Sequence, residues 1–228
     1  CFAEECHSLE QKGQIVSSSL WEAEQPRLWR LLQGWLRFEY ADQKRWTGFT
    51  PAAVEWDFSS KNGKPLHLAL QDGSKATLTG RLDRVDSDGE RFFVTDYKRS
   101  TAPSGKDLLE GFDLQLPVYL LAVAERLGAG SRVCGGSYFV LKDAKRQAKL
   151  VLENLGNTDL PLPKKQAPET ESWSSFADFC RQLLTGYIEA IYAGNFAVQP
   201  RRCNKYCQLQ DICRSQELKA GGSTEDDE

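Results

Sequence analysis

The order of elements along this sequence predicts an α/β domain with a mixed central β-sheet flanked by helices. Three observations support the prediction: an amphipathic helix near the N-terminus, a group of short turn-bounded strands in the first half, and two helices separated by a strand in the second half. With 228 residues, 40% of them hydrophobic, the chain is long enough to bury a core.

The first helix is expected within residues 18–46, where apolar residues recur at helical spacing: Leu28, Leu31, Leu32, Trp35 and Leu36. Short strands bounded by turn residues follow within 52–60, 65–73 and 76–85. Together with the hairpin in which they end, these strands are expected to form an antiparallel meander.

The second half of the chain continues with a helix from at least Leu116 to Leu127, with Pro117 in its first turn, where a missing amide costs little. The elements expected after it are a strand within 131–143, a loop from Thr158 to Thr170 and a helix from Ser175 to Ala193 that ends at Gly194. Residues 217–228 are predicted to be a disordered tail or linker. One domain over residues 1–216 is therefore expected.

Charge and hydropathy exclude several classes of protein. No apolar run approaches the roughly 18 residues that span a bilayer, and residues 1–20 lack the apolar block of a signal peptide. We therefore expect a cytoplasmic location without membrane contact.

The chain opens on Cys1 and contains no Met, which suggests an excised domain. The basic residues Lys142, Lys145, Arg146 and Lys149 indicate a solvated face, with a phosphate-binding track as the alternative.

The seven cysteines of the chain favour metal chemistry over disulfides, because a chain of this length does not need covalent staples. Three of them, Cys203, Cys207 and Cys213, lie within eleven residues, just after Pro200. Clustered thiols in a reducing compartment are typical of zinc or iron–sulfur sites.

The stretch GRLDRVDSDGERFFVTDYKRS, residues 80–100, predicts a charged hairpin. If Asp88 and Gly89 form a two-residue turn, strand alternation places Asp83, Asp96 and Lys98 on one face, with Asp83 opposite Val94. Asp96 is then the diagonal neighbour of Asp83, with Cβ atoms roughly 7 Å apart, a gap that a divalent cation can bridge. Salt bridges from Lys98 to Asp96 and from an arginine to Asp83 are the alternative explanation.

The residues GRLDRVD followed by TDYK resemble motifs II and III of the PD-(D/E)XK nucleases, in the form found in RecB-like nuclease domains. The resemblance implies a restriction-endonuclease-like core, with Asp83 and Asp96 as metal ligands and Lys98 as the catalytic lysine. Gln115 and Tyr119, in QLPVY, match the Q-x-x-x-Y element of the same family, and a four-residue step puts both on one helical face.

The segment from Gly194 to Cys213 resembles the end of AddB-type nuclease domains, in which three C-terminal cysteines and one upstream cysteine hold a 4Fe-4S cluster. The resemblance implies Cys203, Cys207 and Cys213 as ligands, although their spacing includes one residue more than the usual pattern. Cys1 is preferred to Cys6 as the fourth ligand, because Phe2 follows it much as in the family.

The family also has an early histidine that contacts the metal, and His7 is the candidate in this chain. Glu55 stands where the family often has an acid, with a salt bridge as an equal explanation. The resemblance implies that Asp83, Asp96 and the backbone carbonyl of Tyr97 bind Mg²⁺ or Mn²⁺, with His7 assisting.

The implied function is a metal-dependent DNA nuclease, expected to be an exonuclease, within a helicase-nuclease of DNA repair or recombination. DNA is the implied substrate, and a helicase subunit or domain the implied partner. Two alternatives are a silent DNA-end-binding scaffold of the same fold and a zinc-stapled interaction module.

Overall fold

The computed structural model describes residues 1–42, 48–59, 61, 64–128, 132–151 and 173–196. The chain divides into two compact units, residues 1–185 and 186–228, and the first of them contains both sheets. The helices are α1 Phe2–Gln11, α2 Ser19–Asp42, α3 Gly105–Leu109, α4 Gln115–Leu127 and α5 Trp173–Tyr192. The strands are β1 Thr50–Asp57, β2 Leu66–Ala69, β3 Lys75–Leu78, β4 Arg81–Ser87, β5 Phe92–Lys98, β6 Val133–Val140 and β7 Lys145–Val151.

Among the described residues, the main sheet has five strands in the order β1-β4-β5-β6-β7. β5 and β6 are parallel, because the chain crosses between them through α4, and the other neighbours are antiparallel. The predicted mixed sheet is confirmed. The predicted meander is wrong, because β1 pairs with β4, and within the described residues β2 and β3 pair only with each other, in a separate two-stranded sheet.

Helix α4 packs on one face of the main sheet, which we call the carboxylate face because Asp83 and Asp96 lie on it. Close packing there depends on Gly136 in β6, since a Cβ at this position would lie 2.7 Å from Cδ1 of Leu116 in α4. Every residue of β6 is buried, as expected for a strand covered on both faces. The helix ends at Gly128, whose φ of +57° is the left-handed conformation of a glycine C-cap.

Helix α2 covers the opposite face, which we call the α2 face. The rings of Phe38 in α2 and Phe139 in β6 meet edge to face at 4.8 Å, and those of Trp35 and Tyr97 at 6.1 Å. Consecutive strand residues point to opposite faces, so Tyr97 lies under α2 while its neighbours Asp96 and Lys98 face α4. The sheet is therefore enclosed between α2 and α4, which confirms the predicted layer arrangement.

Several elements differ in detail from the sequence-based expectations. The helix expected within 18–46 is confirmed at Ser19–Asp42, and Pro117 lies in the first turn of α4 as predicted. Helix α5 begins at Trp173, two residues before the predicted Ser175. The assignment of Arg146 to a solvated face is wrong, because this side chain is buried on the α2 face, where it binds Thr95 and Ser137. Across the described part of the chain, the helices are too short or too polar to cross a membrane.

Candidate active site

The hairpin formed by β4 and β5 holds the two candidate metal-binding carboxylates. Its register pairs Arg84 with Thr95 and Val85 with Val94. Continued by one residue on each strand, this register places Asp83 opposite Asp96. The predicted register, with Asp83 opposite Val94, is therefore wrong by two residues, but the shared face is as predicted.

The register differs because the connecting loop is two residues longer than a type I′ turn. Asp88 Oδ1 accepts hydrogen bonds from the backbone N–H groups of Glu90 and Arg91, at 3.1 and 2.7 Å. Its Oδ2 accepts from the Arg91 guanidinium at 2.7 Å, and Gly89 takes a φ of +95°. The Asp88 side chain thus stabilises a four-residue loop, which shifts the pairing by two residues and so preserves the alternation of faces.

Asp83 is fixed by the backbone of the neighbouring strand. Its Oδ2 accepts a hydrogen bond from the N–H of Tyr97 at 2.7 Å. The negative charge of Asp83 also acts on Asp96 and on Tyr119, so all three side chains share one electrostatic environment. The carbonyl of Tyr97, assigned from the family resemblance as a metal ligand, belongs to the same residue that donates to Asp83.

Asp96 is buried, with 2% of its surface exposed. Burial raises its pKa, hydrogen bonding to Lys98 opposes this rise, and the charge of Asp83 adds to it. Lys98 Nζ lies 2.7 Å from Oδ2, and Gln115 Nε2 donates to Oδ1 at 2.9 Å. Within the described residues, Oδ2 contacts the ammonium group of Lys98. A metal ion at this oxygen would therefore replace the contact with Lys98.

Gln115 connects the carboxylates to Lys98 and Tyr119. Its Oε1 accepts from Lys98 Nζ at 2.5 Å, while its Nε2 donates to Tyr119 Oη at 2.8 Å as well as to Asp96. Burial, with the nearby charges of Asp96 and Asp83, raises the pKa of Tyr119, so its phenol stays protonated at neutral pH. The structure thus brings together Asp83, Asp96, Lys98, Gln115 and Tyr119, the five side chains singled out in the sequence.

Sequence reasoning missed a second buried pair beside this group. Asp113 accepts hydrogen bonds from Tyr138 Oη through both carboxylate oxygens, at 2.7 and 2.8 Å. It also accepts from the backbone N–H groups of Gln115 and Leu116, in the first turn of α4. Lys98 Nζ lies 5.1 Å from the centre of the Tyr138 ring, within the range of a cation–π contact. The position of Asp113 two residues before Gln115 was the available signal.

The other predicted residues lie elsewhere or outside the described part. His7 is exposed on α1, with its Nε2 2.9 Å from Nε2 of Gln11. Within the described residues, no group of three or more His, Cys, Asp and Glu side chains is placed to hold a metal. Its assignment stays a prediction. Glu55, opposite Asp83 in β1, has a φ of +48° and pairs with Arg81 at 3.5 Å.

The four predicted cluster cysteines are described only in part. Cys1 is exposed at the start of α1, whereas Cys203, Cys207 and Cys213 lie outside the described residues. Cys6, the alternative fourth ligand, is buried. Burial raises the pKa of Cys134 and of Cys180 to about 12, so neither thiol readily forms the thiolate that a metal requires.

Comparison with known families assigns the chain. Residues 2–214 match the model of the PD-(D/E)XK nuclease superfamily. The chain belongs to this superfamily. The match covers nearly the whole chain, and it confirms both the predicted fold class and the resemblance read from the hairpin motifs.

Several curated relatives share one name, which describes a subunit of an ATP-dependent helicase/deoxyribonuclease. The protein of Clostridium acetobutylicum is 25% identical over 243 residues, which cover 82% of this chain and 21% of that protein. The protein of Bacillus subtilis is 36% identical over 118 residues, which cover 46% of this chain and 10% of that protein. The chain thus spans about a fifth or less of the length of these relatives.

Proposed function

We propose that this superfamily member is a DNA nuclease domain that hydrolyses phosphodiester bonds with a divalent cation, Mg²⁺ or Mn²⁺. The observation that carries the proposal is the convergence of Asp83, Asp96 and Lys98 on one face of the hairpin, with Gln115 joining Asp96 to Lys98. The relatives' name contains the word deoxyribonuclease, which supports DNA as the substrate.

The residues present fit a magnesium site better than a zinc site. Two carboxylates and one backbone carbonyl are oxygen donors, which suit Mg²⁺, whereas Zn²⁺ prefers nitrogen and sulfur ligands. Mg²⁺ usually keeps several waters and is held by one or two carboxylates together with substrate phosphates. Asp83, Asp96 and the Tyr97 carbonyl would therefore suffice, and Oδ2 of Asp96 would exchange its contact with Lys98 for the cation.

Each side chain has a chemical task in this proposal. When bound, the cation polarises the phosphate and acidifies a coordinated water. Lys98 Nζ orients the attacking water as an ammonium group, or accepts the proton of that water as a neutral amine, and it lies close enough to Asp96 for this role. Gln115 fixes the ammonium group of Lys98 through Oε1. Tyr119 Oη, held by Gln115, stands as a neutral hydrogen-bonding group for the DNA strand.

Cleavage assays test the proposed activity. We expect the 228-residue chain, purified anaerobically, to degrade end-labelled linear DNA in the presence of Mg²⁺ or Mn²⁺ and to stop when EDTA removes the cation. Circular DNA of the same sequence is the matched substrate, and its survival would identify an exonuclease. DNA binding without cleavage under every metal condition would contradict the proposal and support a silent DNA-end-binding scaffold.

We also propose that Cys1, Cys203, Cys207 and Cys213 hold a structural 4Fe-4S cluster. Exposure of Cys1 leaves its thiol accessible to ligation, whereas Cys6 is buried. Such a cluster closes a very long loop, which restricts the unfolded chain. Reduced thiols also fit the proposed cytoplasmic location.

Iron and sulfide assays on anaerobic protein test the cluster. We expect brown protein with about four irons and four sulfides per chain, the content of a 4Fe-4S centre, and loss of the colour in Cys203→Ala. Cys180→Ala is the control, because this buried thiol is expected to remain protonated. One equivalent of zinc in colourless protein would instead support the zinc-stapled module.

The length of the relatives suggests a larger assembly. We propose that the domain acts within a helicase-nuclease of DNA repair or recombination, beside a helicase subunit or domain. The relatives' name contains both helicase and subunit, and this chain matches only about a fifth of the length of the Clostridium acetobutylicum protein.

A further inference from the structure

A second charged group lies on the α2 face of the sheet, on the opposite side of the hairpin from the candidate metal site. Arg84 forms ion pairs with Glu39 of α2 at 2.9 Å and with Asp86 at 2.8 Å. Its NH1 group also donates a hydrogen bond to Tyr97 Oη at 3.0 Å. The side chains of Arg84, Glu39 and Asp86 are only 11%, 13% and 3% exposed, so this group is almost entirely removed from water.

Stability alone does not account for these charges. Desolvation of buried ions usually offsets their mutual attraction, and well-packed apolar residues are often as stable or more so. Within the described part of the chain, Glu39 Oε1 and Asp86 Oδ2 accept no hydrogen bond despite their burial, which adds to the cost of the arrangement. Buried ionic groups of this kind are better explained by the geometry that they impose.

The geometry fixes one residue of the candidate site from both faces of the sheet. Tyr97 donates its backbone N–H to Asp83 on the carboxylate face and receives a hydrogen bond from Arg84 at its phenol oxygen on the α2 face. Asp83 and Arg84 are consecutive residues of β4 and point to opposite faces of the sheet, so Tyr97 is held by β4 on both faces. The Tyr97 ring is further confined between Trp35, at 6.1 Å, and Phe139, at 5.8 Å.

We propose that Arg84 is a positioning residue for the metal site and that it acts through Tyr97. Its NH1 group holds the phenol, while Nε and NH2 bind Asp86. The phenol in turn fixes the main chain that supports the Asp83 carboxylate and carries the candidate carbonyl ligand. Residues that hydrogen-bond to a metal ligand commonly determine the orientation of that ligand, and their substitution changes metal affinity about 10–100-fold. The inference rests on the proposed function, because it requires that the carboxylate face binds a cation.

Mn²⁺ binding to the full chain, measured by the loss of the free-ion electron paramagnetic resonance signal, tests the inference without depending on cleavage. Tyr97→Phe removes one hydroxyl and keeps the ring between Trp35 and Phe139. Arg84→Lys keeps the charge beside Glu39 and Asp86, but a single ammonium group cannot bind Asp86 and Tyr97 with the geometry of the planar guanidinium. We expect both variants to bind Mn²⁺ at least about 10-fold more weakly than the wild type.

Ser137→Ala is the matched control. It also removes one hydroxyl from the buried layer on the α2 face, but the hydroxyl of Ser137 accepts its hydrogen bond from Arg146, at 3.0 Å, and not from Arg84. We expect wild-type Mn²⁺ affinity in this variant and a similar small decrease in melting temperature for Ser137→Ala and Tyr97→Phe. Should Arg84→Lys fail to fold, Tyr97→Phe carries the test alone.

Two results would overturn the inference. One is wild-type Mn²⁺ affinity in Tyr97→Phe. The other is an equal loss of Mn²⁺ affinity in Ser137→Ala, which would indicate that any lost hydroxyl in this layer disturbs the sheet and the metal site with it. Failure of the proposed function has a different signature, because the wild-type chain itself would then bind no Mn²⁺, and the positioning role would fail with it.

Discussion

Asp96→Asn is expected to abolish Mg²⁺-dependent DNA cleavage and to weaken cation binding by at least about 100-fold. Substitution of a residue that hydrogen-bonds to a metal ligand commonly lowers metal affinity about 10–100-fold, so loss of the charge of a ligand itself should lower it by no less. Cleavage of labelled DNA and binding of Mn²⁺, measured on the same preparation, provide the two readouts.

The substitution should leave the fold intact with some loss of stability, because the ammonium group of Lys98 loses its anionic partner. The Asn amide oxygen can still accept the hydrogen bond that Gln115 donates to Asp96 Oδ1. Asn also removes the repulsion between two neighbouring carboxylates and the cost of burying one of them, which are the causes that raise the pKa of Asp96. Because that pKa is raised, protons compete with the cation, and Mn²⁺ affinity of the wild type should decrease as the pH is lowered.

Asp88→Asn is the control for this substitution. Asp88 belongs to the same hairpin and binds Arg91, but it lies in the connecting loop. We expect wild-type Mn²⁺ affinity and cleavage from this variant, with a small loss of stability from the altered loop. If Asp96→Asn cleaves DNA at the wild-type rate, the carboxylate has no role in metal binding and the ion pair with Lys98 is only structural.

The shared face of Asp83, Asp96 and Lys98 could be predicted from the sequence, because face alternation depends only on whether the number of residues between two positions is odd or even. The predicted turn at Asp88 and Gly89 was two residues too short, yet Asp83, Asp96 and Lys98 stayed on one face because a shift of two residues preserves it. The alternation of the strand therefore predicts the shared face, while the exact pairing depends on how Asp88 stabilises its loop.

Strand partners and buried charges were not predictable in the same way. Nothing in the local sequence of β1 distinguishes pairing with β2 from pairing with β4, because both strands are short and turn-bounded. Arg146 lies in a run of basic residues that predicts a solvent-exposed face, and only the tertiary structure shows that it is buried against Thr95 and Ser137. Long-range packing determined these features, whereas local periodicity sufficed for α2 and α4.

Lys98→Ala is expected to lower the cleavage rate by about 100-fold to 10,000-fold, the usual contribution of a positioned acid or base. Cation binding should be retained or become tighter, because Lys98 and the cation compete for the same carboxylate oxygen of Asp96. Lys106→Ala is the control, since Lys106 forms an exposed ion pair with Glu110 away from the hairpin. Cleavage and Mn²⁺ binding by this control should match those of the wild type.

Thermal melting separates the catalytic and structural roles of Lys98. Without metal, the variant leaves the buried Asp96 without its cationic partner, which costs on the order of 3 kcal/mol for a fully buried pair. Lys98 is 25% exposed, so we expect a smaller loss. Saturating Mg²⁺ should largely restore the melting temperature, because the cation then compensates the Asp96 charge, while cleavage stays low. A variant that melts early and still cleaves DNA at the wild-type rate would show that Lys98 serves only as a salt-bridge partner.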